Sequence, residues 1–580
     1  MTRLHRSKGY GRHHFEEIKA LGKEALRSLH PTDQDESYFQ PRRSTIRRWT
    51  KDKNSKLRPV RTFSQPYSQY AMTMAKNLIL TLYFNWTMIF SAPLSALATV
   101  IVYPTFMVAL LFVELFLKLF LEGMGGHQLI LYLSSRYGKG LSIINWGDPS
   151  LLMSDESRNR VRMALPVLGI DTSKIEHMDH VFDISIAQTM TILSALVYER
   201  NDDLVKQAYD VMTDYPDDID ASDGIETMTE RTVRHLLWES EKRIREFAKP
   251  MGLQFEGISE LKSLGGPFCG LFWAEDYPCF IVCFKGTTPT NYEEFLVDCS
   301  IQRADARPYL FGAAHQGFYD SVFPTTDFGD DDKRDPYQAI LDALHEKAKL
   351  LYPGKKAQVW VTGHSLGAAM SCLLFSRWLK CPEDLQESLH LRDCYVIGTP
   401  AVGDDDFASL FASHSNTPVK RRSTLWRVVN KLDAVCRLPV GYDNRIFGRF
   451  VSKWDFFNYA HVGHGVLIPH NPERPLTLKP SSYQSPGSMQ IIAINSTLYR
   501  PYALTPTPPS DINGLPKWMQ VIHSWHTFYR SWIPASSDEY PTKTIRNPLQ
   551  LLECFYPPVL RDHIPHNYYH GLECARKFYT

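Results

Sequence analysis

Three shortages in this 580-residue sequence each exclude a class of protein. Ten cysteines over such a length are too few for a disulfide framework. There is also no CxxC pair and no Cys/His cluster with zinc-ligand spacing, which argues against a structural metal. Cys279 and Cys283 in PCFIVCF, Cys372 in the apolar run after Gly367, and Cys394 in CYVIG read as small buried hydrophobes, a usage that suits a reducing compartment. Net charge is the second shortage: 64 basic residues face 63 acidic ones, a formal charge of +1, so no global field recruits a nucleic acid. Third, no internal repeat is visible and no apolar run stands near the N-terminus, so neither a solenoid nor a signal peptide is expected.

What is present is unevenly spread. Residues 1–76 carry 17 Lys and Arg against 7 Asp and Glu, a basic stretch that reads as a disordered tail and leaves the rest of the chain net acidic. From Asn77 to Val113 there follow 37 residues without a formal charge, and apolar character continues past Glu114 and Lys118. A straight helix of that length would reach about 55 Å, against a hydrocarbon core of about 30 Å. Pro93 and Pro104 offer breaks, so the spacing predicts a membrane segment over 77–122 built as two arms, a hairpin or a pair of spans. Either form returns the chain to its side of origin, which the preceding basic tail places in the cytosol.

Residues 123–180 read as a linker, and 181–580 as one catalytic domain with a long Pro/Ser/Thr-rich insertion at about 470–545. Helical spacing appears over 181–200 and 223–249. Strands at 278–287, 357–364, 393–399 and 425–431 alternate with helices at 335–351 and 368–380, the signature of an α/β fold with a mostly parallel sheet. Within the insertion, 515–533 places Trp518, Trp525 and Trp532 on one helical face, which suits either a core or a membrane interface.

The chemistry centres on Val359 to Phe375, VWVTGHSLGAAMSCLLF. A β-branched run leads into Gly363-His364-Ser365-Leu366-Gly367 and then into a helix former, which is the G-x-S-x-G elbow that lifts a serine hydroxyl above a sheet edge. Serine needs a base, an acid to orient it and donors for the oxyanion. With this elbow the acid and base follow in the order Ser, Asp, His. Asp433 stands just past the strand LWRVVNK and fits the acid, with Asp404, Asp405 and Asp406 as rivals in the preceding loop. The base remains open among His461, His464, His470, His523, His526, His563, His566 and His570. The N–H of Leu366, next after the serine, supplies one oxyanion donor.

GHSLGAA, the strand ending FKGTTPTNYEEFLVD, HQGFYDS at 315–321, GTPAVGDDDFA at 398–408 and RVVNKLDAVCRLP at 427–439 together resemble the class 3 lipases over about residues 180–574. The hydrophobic N-terminal segment makes the layout most similar to membrane-anchored oil-body lipases. The resemblance implies an α/β-hydrolase fold and a Ser-Asp-His triad in which Ser365 and Asp433 match the nucleophile and acid. His563 in LRDHIPHNYYHGL matches the base, with His566 and His461 as fallbacks. It also assigns Thr287 as the second oxyanion donor and 288–301 as the lid, and implies no cofactor. Cys436 departs from the proline common at its position, and the distance from Asp433 to His563 exceeds that in compact lipases.

The expectation is therefore a membrane-associated serine lipase acting through an acyl-enzyme on acylglycerols, triacylglycerol foremost. Its partner would be a lipid substrate at an endoplasmic reticulum or lipid-droplet surface, with the catalytic domain cytosolic. A diacylglycerol lipase or phospholipase of the same fold, or a catalytically silent lipid-binding scaffold, are the alternatives.

Overall fold

The computed structural model describes residues 154–171, 180–214, 228–260, 268–286, 303–323, 336–415, 423–439, 458–483, 489–493 and 561–579, with Leu152 and scattered positions between Ala75 and Gly125. Thr287, the lid stretch 288–301, all but one position of the tail, and the helix expected at 515–533 lie outside them. The described residues fall into two compact units: those of Arg200–Arg243 belong to the smaller, and the other described residues to the larger.

In the smaller unit, helices Asp202–Asp214 and Met228–Ser240 pack through Leu204, Ala208, Val211, Val233, Leu236 and Leu237. Asn201 accepts from the backbone N–H groups of Asp203 and Leu204 and so opens the first of them. The single helix expected over 223–249 is instead two, parted after Ser240, whose hydroxyl donates back to the Leu237 carbonyl at 2.6 Å.

The larger unit is built on an eight-stranded sheet. In chain order its strands and their companions are β1 (His180–Asp183), β2 (Gln254–Glu260), β3 (Phe268–Trp273), β4 (Cys279–Phe284), β5 (Arg303–Asp305), β6 (Ala313–His315), β7 (Ala357–His364), β8 (Leu389–Ile397), β9 (Leu425–Asn430), β10 (His464–Ile468), β11 (Thr477–Lys479) and β12 (Met489–Ile492). The main sheet runs β11-β10-β9-β8-β7-β4-β3-β2. Its centre from β10 to β4 is parallel, and antiparallel pairs at β10–β11, β4–β3 and β3–β2 finish the two edges. A mostly parallel sheet must be covered on both faces. The helices α1 (Asp155–Leu168), α2 (Ile184–Leu196), α3 (Gln316–Val322), α4 (Pro336–Leu351), α5 (Leu366–Lys380), α6 (Asp405–Ser415) and α7 (Pro565–Arg576) supply the cover.

Strand periodicity sorts residues between two cores. Val359 and Val361 of β7 join the cluster made with α3 to α6, whereas Trp360 between them joins the cluster made with α1, α2 and α7. Because both faces are apolar, β7 reads AQVWVTGH with every residue buried.

Two expectations change here. The helix expected over 181–200 begins only at Ile184, because His180–Asp183 pairs in parallel with β12, a partner some 300 residues away that local spacing does not reveal. Asp183 then caps α2 by accepting from Ser185 N–H at 2.7 Å and Ile186 N–H at 3.3 Å. The stretch expected to be a linker, 123–180, contains α1, whose Val161, Ala164, Leu165 and Leu168 are buried in the second core.

Of the apolar segment 77–122, the described positions include a helical turn, Met88–Ser91, and exposed Tyr83, Trp86, Phe90, Ile101, Phe112 and Leu119. Among the described residues no helix is long and apolar enough to cross a membrane.

Candidate active site

The C-terminal ends of the parallel strands converge at one rim, where open α/β sheets present their sites. Strand β7 ends at His364 and α5 starts at Leu366, leaving Ser365 alone in the turn with φ 57° and ψ −126°. A non-glycine residue in that region costs about 1–3 kcal/mol and persists only where its surroundings hold it. Ser365 N–H donates to the Ile397 carbonyl of β8 at 3.0 Å, and the Ser365 carbonyl accepts from Ala368 and Ala369 at the head of α5. Gly367 makes the turn feasible. A Cβ there would meet the Phe284 carbonyl at the end of β4 and stand 3.0 Å from the Gly286 nitrogen.

Asp433 lies three residues beyond β9, fully buried, with its N–H donating to the Asn430 carbonyl. His563 comes from the loop before α7, 130 residues later in the chain. Asp562 straps that loop to β9: the Asn430 side chain donates to its carbonyl at 2.9 Å, and its carboxylate accepts from Leu432 N–H at 3.1 Å. This brings His563 between the other two residues. His563 Nδ1 lies 2.8 Å from Asp433 Oδ2, and His563 Nε2 lies 2.9 Å from Ser365 Oγ. The carboxylate only accepts, so Nδ1 carries the proton and donates, and Nε2 is left to accept from the serine hydroxyl.

The electrostatics favour a charged acid. Burial acts to raise the Asp433 pKa, but His563, through its charge and its hydrogen bond, together with bonds from Tyr568 and Val435 N–H, outweighs burial and holds it below the usual carboxylate range. Beneath the serine, burial and the adjacent His563 push His364 down to about 3, so its ring is neutral. Its Nε2–H donates to the His563 carbonyl at 2.7 Å, which leaves Nδ1 to accept from the Tyr198 hydroxyl at 3.2 Å. Tyr198 thus ties α2's end to the elbow, and His364 ties the elbow to the histidine loop.

The rivals fall elsewhere. Asp404 accepts from Ala313 N–H at 3.1 Å and Phe407 N–H at 2.8 Å, capping α6, and Asp405 and Asp406 are exposed. His461 donates from Nε2 to the Cys436 carbonyl at 3.0 Å, and His566 stands on the first turn of α7. Leu366 opens α5, where the first N–H groups have no intrahelical acceptor, and so aims a donor at the serine's rim. Gly286, the last described residue before Thr287, lies against Gly367 of the same turn. Sequence reasoning gave Tyr198, Tyr568 and Gly398 no role in this site, although Gly398 opens GTPAVGDDDFA and Tyr568 lies in LRDHIPHNYYHGL. Their roles are visible only once distant segments meet.

Residues 281–442 match the family model for class 3 lipase. A triacylglycerol lipase OBL1 of Nicotiana tabacum is 37% identical over 125 residues, 21% of this chain and 21% of the relative. This part of the chain is similar to the class 3 lipases. A phospholipase A1-IIbeta of Arabidopsis thaliana is 32% identical over 127 residues, 21% of this chain and 28% of that relative. The chain thus spans between about a fifth and just over a quarter of the length of these curated relatives. A crystal structure of lipase from Rhizopus microsporus var. chinensis aligns at 21% identity over 41% of this chain and 69% of its own, with a TM-score of 0.29. At that score the likeness has no weight, and the fold assignment rests on the strand order. The matched segment begins within β4 and ends at residue 442, so His563 lies outside it while Ser365 and Asp433 lie inside.

Proposed function

We propose that this protein is a membrane-associated serine lipase of the class 3 type that hydrolyses acylglycerol esters, triacylglycerol foremost, through an acyl-enzyme. The observation that supports this best is the unbroken line from Ser365 Oγ through the His563 imidazole to Asp433. In this reading Ser365 attacks the ester carbonyl and His563 Nε2 takes its proton and passes it to the departing alcohol. Asp433 orients the ring and stabilises the imidazolium, and the N–H of Leu366, with Thr287, holds the oxyanion. Water activated by His563 then releases the fatty acid and frees the serine. The apolar segment 77–122 would keep the enzyme at the lipid surface into which its substrate partitions.

Ser365→Ala tests the mechanism. Full-length protein assayed on emulsified triacylglycerol is expected to lose at least about a thousandfold in fatty-acid release with its melting curve unchanged. Equal release by variant and wild type would instead favour a silent scaffold. The relative named phospholipase A1-IIbeta supports a second reading, in which the ester is a phospholipid's. A panel of triacylglycerol, diacylglycerol and phosphatidylcholine, each with the Ser365→Ala control, decides between them.

A further inference from the structure

The carboxylate of Asp433 is more heavily bonded than a triad of three residues requires. Oδ1 accepts from Val435 N–H at 2.8 Å. Oδ2 accepts from three side chains: His563 Nδ1–H at 2.8 Å, the Tyr568 hydroxyl, and the Cys436 thiol at 3.4 Å. Cys436 and Tyr568 also touch each other, Sγ to hydroxyl at 3.5 Å, and both are buried. They arrive by independent routes, Cys436 from the short 3-10 turn Val435–Arg437 directly after the aspartate, and Tyr568 from the first turn of α7, five residues past His563.

We infer that Cys436 and Tyr568 are positioning residues that share the Asp433 oxygen with His563 and thereby keep the base from binding its proton too tightly. The inference rests on the lipase reading above. Each extra donor drains negative charge from Oδ2, the oxygen that would otherwise stabilise only the imidazolium. A histidine paired with an unshared, fully buried carboxylate would hold its proton to higher pH and be idle as a base there. The thiol is well suited to such a place. Burial and the neighbouring Asp433 push it far above its ordinary value, so it stays a neutral donor and adds no second negative charge.

The other groups around His563 do not fill this role. His364 presses from the elbow and is neutral, Ser365 donates to the opposite nitrogen, and Gly398 at the end of β8 contributes no side chain. Asp562 turns its carboxylate to Leu432 N–H and Arg561. Arg427 acts on the Cys436 thiol.

The test is the pH dependence of kcat/KM on dissolved tributyrin, measured with full-length protein by titrating released acid. Tyr568→Phe keeps the ring and removes the donor. The acid limb is expected to move to higher pH by roughly half to one unit, with activity above the limb within a few-fold of wild type. Cys436→Ala is expected to move it the same way by less, and Cys436→Ser, which keeps a donor, to leave it in place. An equal loss at every pH with the limb unmoved in Tyr568→Phe, or a limb displaced as far in Cys436→Ser as in Cys436→Ala, would overturn the inference and reduce both residues to packing. Ser365→Ala run alongside separates the two claims: retained hydrolysis there defeats the lipase reading itself, whereas its loss with an unmoved limb defeats only this one.

Discussion

Gly398 ends β8 with φ 66°, and a Cβ built on it would lie 3.0 Å from His563 Cε1, 3.1 Å from His563 Nδ1 and 3.1 Å from Asp433 Oδ2. Two requirements therefore meet at one residue: a left-handed backbone and room for the imidazole–carboxylate pair to lie flat on the strand end. Gly398→Ala is expected to strain the backbone and push the ring away from Ser365, whose proton it must reach within about 3.2 Å. We predict a fall in kcat of at least about tenfold with KM little changed, since the methyl disturbs the reacting line and not the substrate. Steady-state kinetics on tributyrin check this, and a rise in KM alone would show that Gly398 faces the acyl pocket instead.

At the scale of elements, α2 carries a titration that the triad does not explain. Its cap Asp183 is raised from 3.8 to about 7, chiefly by complete burial, against the opposing pull of the Ser185 and Ile186 N–H groups and Arg576. A folded-state pKa raised above the unfolded one means that the unfolded chain releases its proton first. The stabilisation is then whole below about pH 4 and lost as pH rises through about 7. Asp183→Asn keeps a capping oxygen and removes the titration. Its stability relative to wild type should improve from pH 4 to pH 7 in urea melts followed by circular dichroism, and parallel pH slopes would count against a raised Asp183. At pH 4 the change itself should cost little, whereas Asp183→Ala should cost about 1 kcal/mol through loss of the cap.

For the whole molecule, the question is where the site works. The 37 uncharged residues from Asn77 to Val113 are far more apolar than an ordinary surface tolerates. If they hold the lipase reading's enzyme on lipid, placing charge in them should release it. In a flotation gradient with phosphatidylcholine vesicles, wild type is expected to rise with the lipid, and Phe90→Arg combined with Ile101→Arg to remain at the bottom, at a cost of several kcal/mol per pair of charges. Flotation of both would place the lipid contact elsewhere. The sequon at Asn495 reports sidedness: a cytosolic catalytic part leaves it unglycosylated, and a mass shift on deglycosylation would put that part in the lumen.

The sequence by itself determined the pieces whose causes are local. A β-branched run, a glycine-framed serine and an alanine-rich helix former specify strand, elbow and helix at 357–380 because their physics needs only neighbouring residues. The same holds for the strand before Asp433 and for the charge-free stretch. Tertiary structure alone decided what depends on distant partners. It took Asp562 bonded to Asn430 and Leu432 to bring His563 across 130 residues to Asp433, where several histidines were compatible with the order of motifs. It took a parallel partner in β12 to make His180–Asp183 a strand, and burial in the second core to make α1 a packed helix in a stretch that read as linker. Sharing of one carboxylate oxygen by His563, Tyr568 and Cys436 was likewise invisible in one dimension, because hydrogen bonds depend on distance in space and the sequence records only order.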